Sequence, residues 1–222
     1  MTISMIRRQG IVLASASPRR QEILQGLGLL FLVDPSRIPE PGPRSGEPPP
    51  RFAVRTARAK ALAVASKHLS GLVVAADTIV IVRNRILGKP ASDEEAGDML
   101  RSLSGRWHEV ITGLCIVDCK SGRTRCSHTT SRVHFRRLTQ DEITWYLRTG
   151  EHRDKAGAYA IQGHASLFID RIEGCYFNIV GFPVSAFERL CRQLGVSLLQ
   201  LVLRSRVDRK GVRSQESGVR II

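Results

Sequence analysis

The sequence predicts an α/β protein built around a mixed β-sheet. Short apolar runs of strand length alternate along the chain with amphipathic stretches of helix length, which is typical of a sheet covered by helices. The chain has 222 residues, of which 42% are hydrophobic and 24% are charged, an ordinary globular composition with enough length for a full core. This length suits one large domain or two small lobes, and we expect one compact unit.

The first third of the chain predicts one strand, two helices and a long loop. Residues 11–14 have the pattern of a buried strand, and residues 18–28 that of a helix with Ser17 as N-cap and a proline at its first position. The Pro- and Gly-rich segment 34–50 predicts a loop. Helical periodicity resumes over about 51–69.

The remaining chain predicts a mixture of strands and helices. Strand patterns occupy residues 72–82, 107–118, 124–135, 166–171 and 175–180, and "ILGKP" after a turn at 83–85 predicts a hairpin return. Helix patterns occupy residues 93–103, 139–149 and about 183–194. Two of these helices have clear start signals, since Ser92 is a suitable N-cap and Thr139 forms a capping box with Glu142.

Net charge narrows the set of partners. The formal net charge is +14, and residues 204–222 form a basic tail that we expect to be disordered, with nucleic-acid contact as the other interpretation. A basic protein attracts nucleotides, nucleic acids and anionic surfaces. The longest apolar run, "GLVVAADTIVIV", contains an acid and is too short to span a bilayer, and no signal peptide is apparent. We therefore expect a cytoplasmic protein with no membrane partner.

Five cysteines without a secretion signal indicate free thiols. Cys115, Cys119 and Cys126, followed by His128, suggest a zinc site as the alternative. Structural zinc sites usually contain closely spaced cysteine pairs, whereas this spacing falls inside two predicted strands. Buried or incidental cysteines are the favoured interpretation.

The segment "IVLASASPRRQEIL" places two cations in an unfavourable position. Arg19 and Arg20 fall in the first turn of the predicted helix, where the helix dipole disfavours a cation by roughly 0.3–1 kcal/mol. A bound anion removes this conflict, because the free backbone N–H groups of a helix N-terminus also bind anions. We therefore expect Arg19 and Arg20 to face an anion.

Lys60 lies on the apolar side of the second predicted helix. At 100° per residue, Arg51, Arg55 and Arg58 share one arc, whereas Lys60 lies on the opposite side among apolar residues. Either its stem covers apolar surface while its ammonium reaches water, or the ammonium points into a cleft that holds an anion. Because Arg19 and Arg20 are also expected to face an anion, phosphate is the obvious candidate.

Asp77 interrupts a run that otherwise has the composition of a buried strand. Because burial of an unpaired carboxylate is costly, Asp77 must be paired, hydrogen-bonded or bound to a metal. It either caps a turn at a strand end or, beside an anion site, holds a magnesium ion or activates water.

The sequence has no Walker-type phosphate loop. Lys89 stands in Gly88-Lys89-Pro90, without the earlier glycine and the following Ser or Thr that such a loop requires, which excludes kinase and P-loop functions. The dispersed charges instead predict a triphosphate site assembled from several loops. Its candidate residues are Arg19, Arg20, Glu40, Lys60, Asp77 and Lys89.

Six segments resemble, in order, the signature segments of the Maf family of nucleotide pyrophosphatases: "ASASPRR", "AADTIV", "GKP", "LSGRWHEVITG", "DKAGAYAIQG" and "GCYFNIVGFP". They cover about residues 11–195, so we expect a single domain over 1–203. The resemblance implies an elongated two-lobed α/β fold with flanking helices and a central cleft, similar to inosine triphosphate pyrophosphatases. It also implies hydrolysis of a nucleoside triphosphate to the monophosphate and pyrophosphate with a divalent cation, Mg²⁺ or Mn²⁺.

The resemblance further implies roles for individual residues. The catalytic residues would be Asp77, Lys60, Lys89 and Glu40, with the metal held by Asp77 and Glu40. The substrate-binding residues would be Ser15, Arg19, Arg20, Thr78 and Gln162. Thr78 and Gln162 fall where the pyrimidine-preferring subgroup keeps residues tied to substrate choice, which implies dTTP and UTP as substrates.

Some positions depart from the family pattern or have two interpretations. His152 stands where a proline is common, which puts in doubt the loop before Asp154 and Lys155, two residues that could pair with each other. Phe182 replaces a usual leucine, and the tail has no family counterpart. Three ring side chains are interpreted as structural rather than catalytic or base-stacking: Trp107, His108 and Tyr159.

The alternative function is that of a non-catalytic basic protein that binds nucleic acid or regulates septum formation, the process that gives the family its name. Only 5% of the residues are aromatic, and no recognition motif of the common nucleic-acid-binding folds is present. We therefore expect a nucleoside triphosphate rather than a nucleic acid as partner. The sequence leaves a homodimer open.

Overall fold

The computed structural model describes residues 10–203, which contain seven strands, six α-helices and two short 3₁₀ helices, followed by a last helical stretch over 198–203. The strands are β1 (Ile11–Leu13), β2 (Phe31–Val33), β3 (Leu72–Val82), β4 (Arg85–Leu87), β5 (Trp107–Asp118), β6 (Thr124–Phe135) and β7 (Ile169–Glu173). The α-helices are α1 (Pro18–Gly26), α2 (Pro49–Ala65), α3 (Asp93–Leu103), α4 (Gln140–Arg148), α5 (Tyr176–Val180) and α6 (Val184–Gln193). The 3₁₀ helices are Ala156–Ala158 and His164–Phe168.

The strands form one mixed sheet in the order β2-β1-β3-β5-β6-β7, with β4 paired to β3. Strand β1 is parallel to β2 and β3, and the remaining pairs are antiparallel. The mixed α/β architecture confirms the predicted fold class. Within residues 10–203, no helix combines the length and the apolar composition that a bilayer crossing requires.

Some element predictions differ from the structure. The strand predicted for 166–171 begins only at Ile169, because His164–Phe168 form a 3₁₀ helix. Residues 175–180 form helix α5 rather than a strand, and the three-residue strand β2 was not predicted. The segment "CYFNIV" is rich in aromatic and β-branched residues, which favour strands, but tertiary contacts override this preference. Asn178 in this helix is fully buried, and Gly181 ends the helix at φ 113°, a conformation that favours glycine. The basic tail predicted for 204–222 lies outside the described residues.

The long strand β3 joins two apolar clusters on one face of the sheet. Alternate residues of a strand face opposite sides. Val74 belongs to a cluster with α1 and α6, whereas Val80 belongs to a cluster with α3 and α4. On the other face, Ala75 packs under α2. Asp77 and Thr78 therefore lie between the two lobes that these clusters define, and they face opposite sides of the sheet.

Gly113 allows α2 to lie close to the sheet beside Asp77. It pairs with Asp77 across β3 and β5, and a Cβ atom at this position would overlap the backbone carbonyl of Ala53 in α2. Any other residue would push the helix away from the strand. The close approach brings Lys60, two turns further along α2, within reach of Asp77.

Candidate active site

A cavity of about 820 Å³ opens between the two lobes, at the middle of β3. Loops from both lobes contribute to its wall, which gives it the central position that the sequence predicted for a cleft. Eight of the predicted site residues line it: Ser15, Arg19, Arg20, Glu40, Lys60, Asp77, Thr78 and Lys89. Gln162 is exposed and is not among the lining residues, although its neighbour Ile161 is.

Lys60 holds two carboxylates together on one side of the cavity. Its Nζ lies 2.7 Å from Asp77 Oδ1 and 2.7 Å from Glu40 Oε1. The side chains of Lys60 and Asp77 are only 12% and 13% exposed, so solvent screens this ion pair weakly. The apolar-face lysine therefore has a partner, and that partner is a pair of carboxylates from the protein itself.

Glu40 comes from the loop between β2 and α2 and is the more exposed of the two acids. Its Oε2 also lies 3.6 Å from Lys89 Nζ. The hydrogen bond from Lys60 lowers the pKa of Glu40, with the charges of Lys60 and Lys89 acting in the same direction against the effect of burial. Glu40 therefore stays ionised to lower pH than an ordinary glutamate.

Arg20 is fixed by three protein acceptors on the other side of β3. Its Nε donates to the carbonyl of Gly181 at 2.9 Å, its Nη1 to Ser15 Oγ at 2.9 Å and its Nη2 to Thr78 Oγ1 at 3.3 Å. A guanidinium has five N–H donors, so two remain for a ligand. The planar fork is thus held in one orientation at the cavity wall.

A chain of hydroxyl groups orients the acceptor of Arg20. Thr112 lies opposite Thr78 in the sheet register, and the two hydroxyl oxygens are 2.9 Å apart. Thr112 Oγ1 donates to the carbonyl of Asn178 at 3.0 Å, so it accepts the proton of Thr78. The Thr78 oxygen is then free to accept from Arg20. Asn178 is itself held by its amide group, which donates to Val110 and Ser131.

Arg19 has no such anchor. Within residues 10–203 its side chain makes no hydrogen bond or ion pair, although it lines the cavity. Burial is the largest cause that lowers the pKa of Arg19. The Ser17 hydroxyl makes no capping bond at the start of α1 and no acid lies in its first turn, so the predicted side-chain cap is absent. Arg19 is therefore a partly buried cation whose donors are available to an anion.

Lys155 is a cavity residue that the sequence analysis did not assign. Its Nζ donates to the carbonyl of Arg153 at 3.2 Å rather than to Asp154, so the alternative in which Asp154 and Lys155 pair is not the observed arrangement. Burial, and then the charge of Arg19, lower the pKa of Lys155. Asp154 and Ala158 have φ values of 58° and 61°, a strained conformation for residues other than glycine that often occurs at functional sites.

Tyr159 lines the cavity and is supported from behind by His108. The two side chains are buried, and His108 Nε2 lies 2.7 Å from Tyr159 Oη. Trp107 instead packs against His134 and under the guanidinium of Arg132. The structural interpretation therefore fits Trp107 and His108, whereas Tyr159 forms part of the cavity wall.

We expect His108 to make the protein less stable in acid. Burial lowers the pKa of His108 to about 4. An unfolded histidine takes up its proton near pH 6.5, so stability falls as the pH drops from about 6.5 to 4, by up to roughly 3 kcal/mol. Urea unfolding at pH 7 and pH 4.5 should show a smaller pH effect in His108→Gln, which keeps a hydrogen-bonding side chain but does not titrate. Equal pH effects in both proteins would contradict this expectation.

The two carboxylates of Asp77 and Glu40 fit a divalent cation only if the substrate supplies further oxygen ligands. Asp77 and Glu40 each direct one carboxylate oxygen at Lys60 Nζ, in the wall of the cavity. In the part of the chain that the structure describes, no group of three or more His, Cys, Asp or Glu side chains is suited to a metal ion. Mg²⁺ is commonly held by one or two carboxylates together with substrate phosphates and water. Cys115, Cys119 and Cys126 are free thiols, so the zinc alternative gains no support.

Comparison with known proteins gives a family match over most of the chain. The model of the family described as Maf-like protein matches residues 10–194. A protein of Desulforamulus reducens named dTTP/UTP pyrophosphatase is 47% identical over 192 residues, which cover 85% of this chain and 98% of that relative. A protein of the same name from Moorella thermoacetica is 48% identical over 188 residues, which cover 85% and 96% of the two chains.

Two solved structures show a more distant and partial likeness. A nucleoside-triphosphatase, dITP/XTP pyrophosphatase, from Mycobacterium abscessus is 13% identical with a TM-score of 0.34, covering 59% of this chain and 76% of that one. The Ham1 protein of Staphylococcus aureus is 18% identical with a TM-score of 0.37, covering 57% and 72%. The family model and the relatives that match across most of their own length decide the identity: the chain belongs to the Maf-like protein family.

Proposed function

We propose that this protein hydrolyses dTTP and UTP to the nucleoside monophosphate and pyrophosphate. The observation that carries the proposal is the pair of carboxylates at Lys60, in a cavity that also presents Arg19, Arg20, Lys89 and Lys155. The cations of such a site can bind a highly charged triphosphate, while the two carboxylates remain available next to it for a metal ion or a proton. The names of the relatives supply the base preference.

In the proposed reaction, a water oxygen attacks the α-phosphorus and the bond to the oxygen that bridges the α- and β-phosphates breaks. The water proton passes to a carboxylate, for which Asp77 is the better placed because it is the more buried acid. Lys60 lies at hydrogen-bond distance from Asp77, so its ammonium balances the negative charge of the carboxylate before that carboxylate accepts the proton. The pyrophosphate departs with the bridging oxygen.

Cations around the cavity stabilise the charge that grows on the departing pyrophosphate. Arg20 contributes a fixed fork with two free N–H donors, and Arg19 contributes a whole guanidinium. Charge-assisted hydrogen bonds of this kind contribute about 1.5–3 kcal/mol each. Because the donors are already in place, little reorganisation is needed as the charge develops.

We also propose that Asp77 and Glu40 hold a divalent cation, Mg²⁺ or Mn²⁺, when the nucleotide is bound. The ion would polarise the α-phosphate and make the attacking water more acidic. Lys60 would then retain one of its two carboxylate contacts or shift toward the phosphates. Removal of the metal with a chelator should abolish pyrophosphate release and leave the fold unchanged.

The pyrimidine base would occupy the apolar part of the cavity. Val80, Leu87, Tyr159 and Ile179 line this part and offer contacts to a ring and a methyl group. Thr78 supports Arg20 and is therefore a phosphate-side residue in this arrangement. A role for Gln162 in contacting the base stays a prediction.

The cytoplasmic location and the absence of nucleic-acid binding also stay predictions, and a homodimer stays open.

The direct test is pyrophosphate release from a panel of nucleoside triphosphates with Mg²⁺ or Mn²⁺. We expect dTTP and UTP to have the highest kcat/KM, above the purine nucleotides. No release from any nucleotide, together with tight binding of oligonucleotides, would contradict the proposal and favour the non-catalytic alternative. No observation in the described residues favours that alternative.

Thr112→Val should lower kcat/KM about tenfold through Arg20. The substitution keeps the shape of the side chain but leaves the Thr78 hydroxyl without its acceptor, so Thr78 no longer presents its oxygen to Arg20 in one orientation. The measurement is steady-state kinetics with dTTP. Thr129→Val is the matched control, because Thr129 pairs with Thr112 on β6 but does not line the cavity and makes no hydrogen bond to Arg20 or Thr78. An equal loss of kcat/KM in both variants would contradict the role of the Thr112 and Thr78 hydroxyl groups in orienting Arg20.

A further inference from the structure

A second cavity lies on the side of α2 away from Lys60. It has a volume of about 620 Å³ and contains the arc of arginines that the candidate active site leaves unused. Arg51, Arg55 and Arg58 come from α2, and Arg44 comes from the loop before it. We name this cavity, lined by Arg44, Arg51, Arg55 and Arg58, the arginine groove.

The groove holds more positive than negative charge. Glu47 is its one acid among the lining residues, and both of its oxygens are taken by Arg55, at 2.7 Å from Nε and 2.7 Å from Nη2. Within residues 10–203, the guanidinium groups of Arg44, Arg51 and Arg58 have no hydrogen-bond acceptor or acidic partner. The lining residues therefore carry four guanidinium groups and one carboxylate, and the guanidinium groups of Arg44, Arg51 and Arg58 have no direct contact with that carboxylate.

The Glu47–Arg55 pair anchors one wall of the groove, whereas the side chains of Arg44, Arg51 and Arg58 are exposed. The Glu47 side chain is only 6% exposed, and it also accepts the backbone N–H of Arg44 at 3.1 Å. Arg55 Nη2 donates in addition to the carbonyl of Gly42 at 2.9 Å. These bonds fasten the loop onto α2 and fix where Arg44 enters the groove.

The shape and the charge select a small phosphate-bearing anion. A volume of this size is typical of small-molecule sites. The lining residues include no aromatic side chain on which the bases of a single-stranded nucleic acid could stack. One phosphate carries about 1.5–2 negative charges at neutral pH, so two linked phosphates are needed to balance three guanidinium groups.

We propose that the arginine groove is a second anion site, which binds a small molecule carrying a diphosphate group. Guanidinium forks match pairs of phosphate oxygens, and the free groups of Arg51 and Arg58 lie two turns apart on one helix face. The groove adjoins the loop that presents Glu40 to Lys60. Arg55 of the groove donates to the carbonyl of Gly42, which is only two residues from Glu40. A bound diphosphate therefore holds this loop against α2 from the side opposite the active site.

The test counts inorganic pyrophosphate bound per folded chain by equilibrium dialysis, without divalent metal and at physiological salt. Arg51→Ser/Arg58→Ser should bind one pyrophosphate fewer than the unsubstituted protein. The matched control is Arg148→Ser/Arg189→Ser, which removes the same charge from exposed positions outside both cavities and should bind the full number. Thermal unfolding of each variant checks that the fold is intact.

Arg19→Ser separates this proposal from the proposed function, because it should remove only the pyrophosphate bound in the larger cavity. An unchanged count in Arg51→Ser/Arg58→Ser would overturn the proposal, whatever Arg19→Ser does. An equal loss in the Arg148→Ser/Arg189→Ser control would also overturn it, since general charge would then explain the binding. A groove that binds a single-stranded oligonucleotide and no pyrophosphate would overturn it as well.

Discussion

Asp77→Asn is expected to lower kcat for dTTP by about a thousandfold or more, the range seen when a group that acts only in the transition state is removed. Asn preserves the shape of the side chain but cannot accept the water proton or contribute negative charge to a divalent cation. Lys60 keeps its ion pair with Glu40 at 2.7 Å, so the variant retains a counter-charge for the buried ammonium. The fold should therefore survive the substitution.

The measurements are single-turnover pyrophosphate release and thermal unfolding, made side by side. Asp98→Asn is the control, because Asp98 also pairs with a cation at 2.7 Å but is 70% exposed on α3 and is not among the cavity-lining residues. It should leave kcat unchanged. A folded Asp77→Asn protein with undiminished kcat would exclude Asp77 as the acceptor of the proton.

The long central elements could be predicted from the sequence because their local signals agree with their environment. Residues 72–82 form an apolar run that only Asp77 and Thr78 interrupt, and β3 has these bounds because both of its faces are covered. The capping box at Thr139 fixes the start of α4 for a local reason. Strand β2 has three residues at a sheet edge, which is too short for a periodicity to be recognised.

The charged part of the site could be predicted for a related reason, since Lys60 and Asp77 are misplaced charges in apolar patterns. The sequence did not reveal that they are each other's partner, because the contact depends on how closely α2 approaches β3 at Gly113. Thr112 and Asn178 gave no signal, because both are ordinary polar residues until the strand register and helix α5 bring them to Arg20.

Arg20→Lys is expected to lower kcat/KM for dTTP about a hundredfold, whereas Arg19→Lys should lower it less than tenfold. Both substitutions keep the positive charge. A lysine at position 20 is a single ammonium that cannot contact Gly181, Ser15 and Thr78 in the planar arrangement of a guanidinium and still present donors to a phosphate. A lysine at position 19 loses no protein contact, so it retains most of the attraction for the triphosphate.

The pair of variants separates geometry from charge, because the two arginines are adjacent in sequence and line the same cavity. Steady-state kinetics across a range of salt concentrations supplies the measurement. If charge alone mattered, the two lysine variants would have equal kcat/KM and both would retain the salt dependence of the unsubstituted enzyme. If Arg20 only held the lobes together, Arg20→Lys would unfold at lower temperature with kcat/KM unchanged. The expected result is a large kinetic loss confined to Arg20→Lys, because only its donors are aligned by the protein before the nucleotide binds.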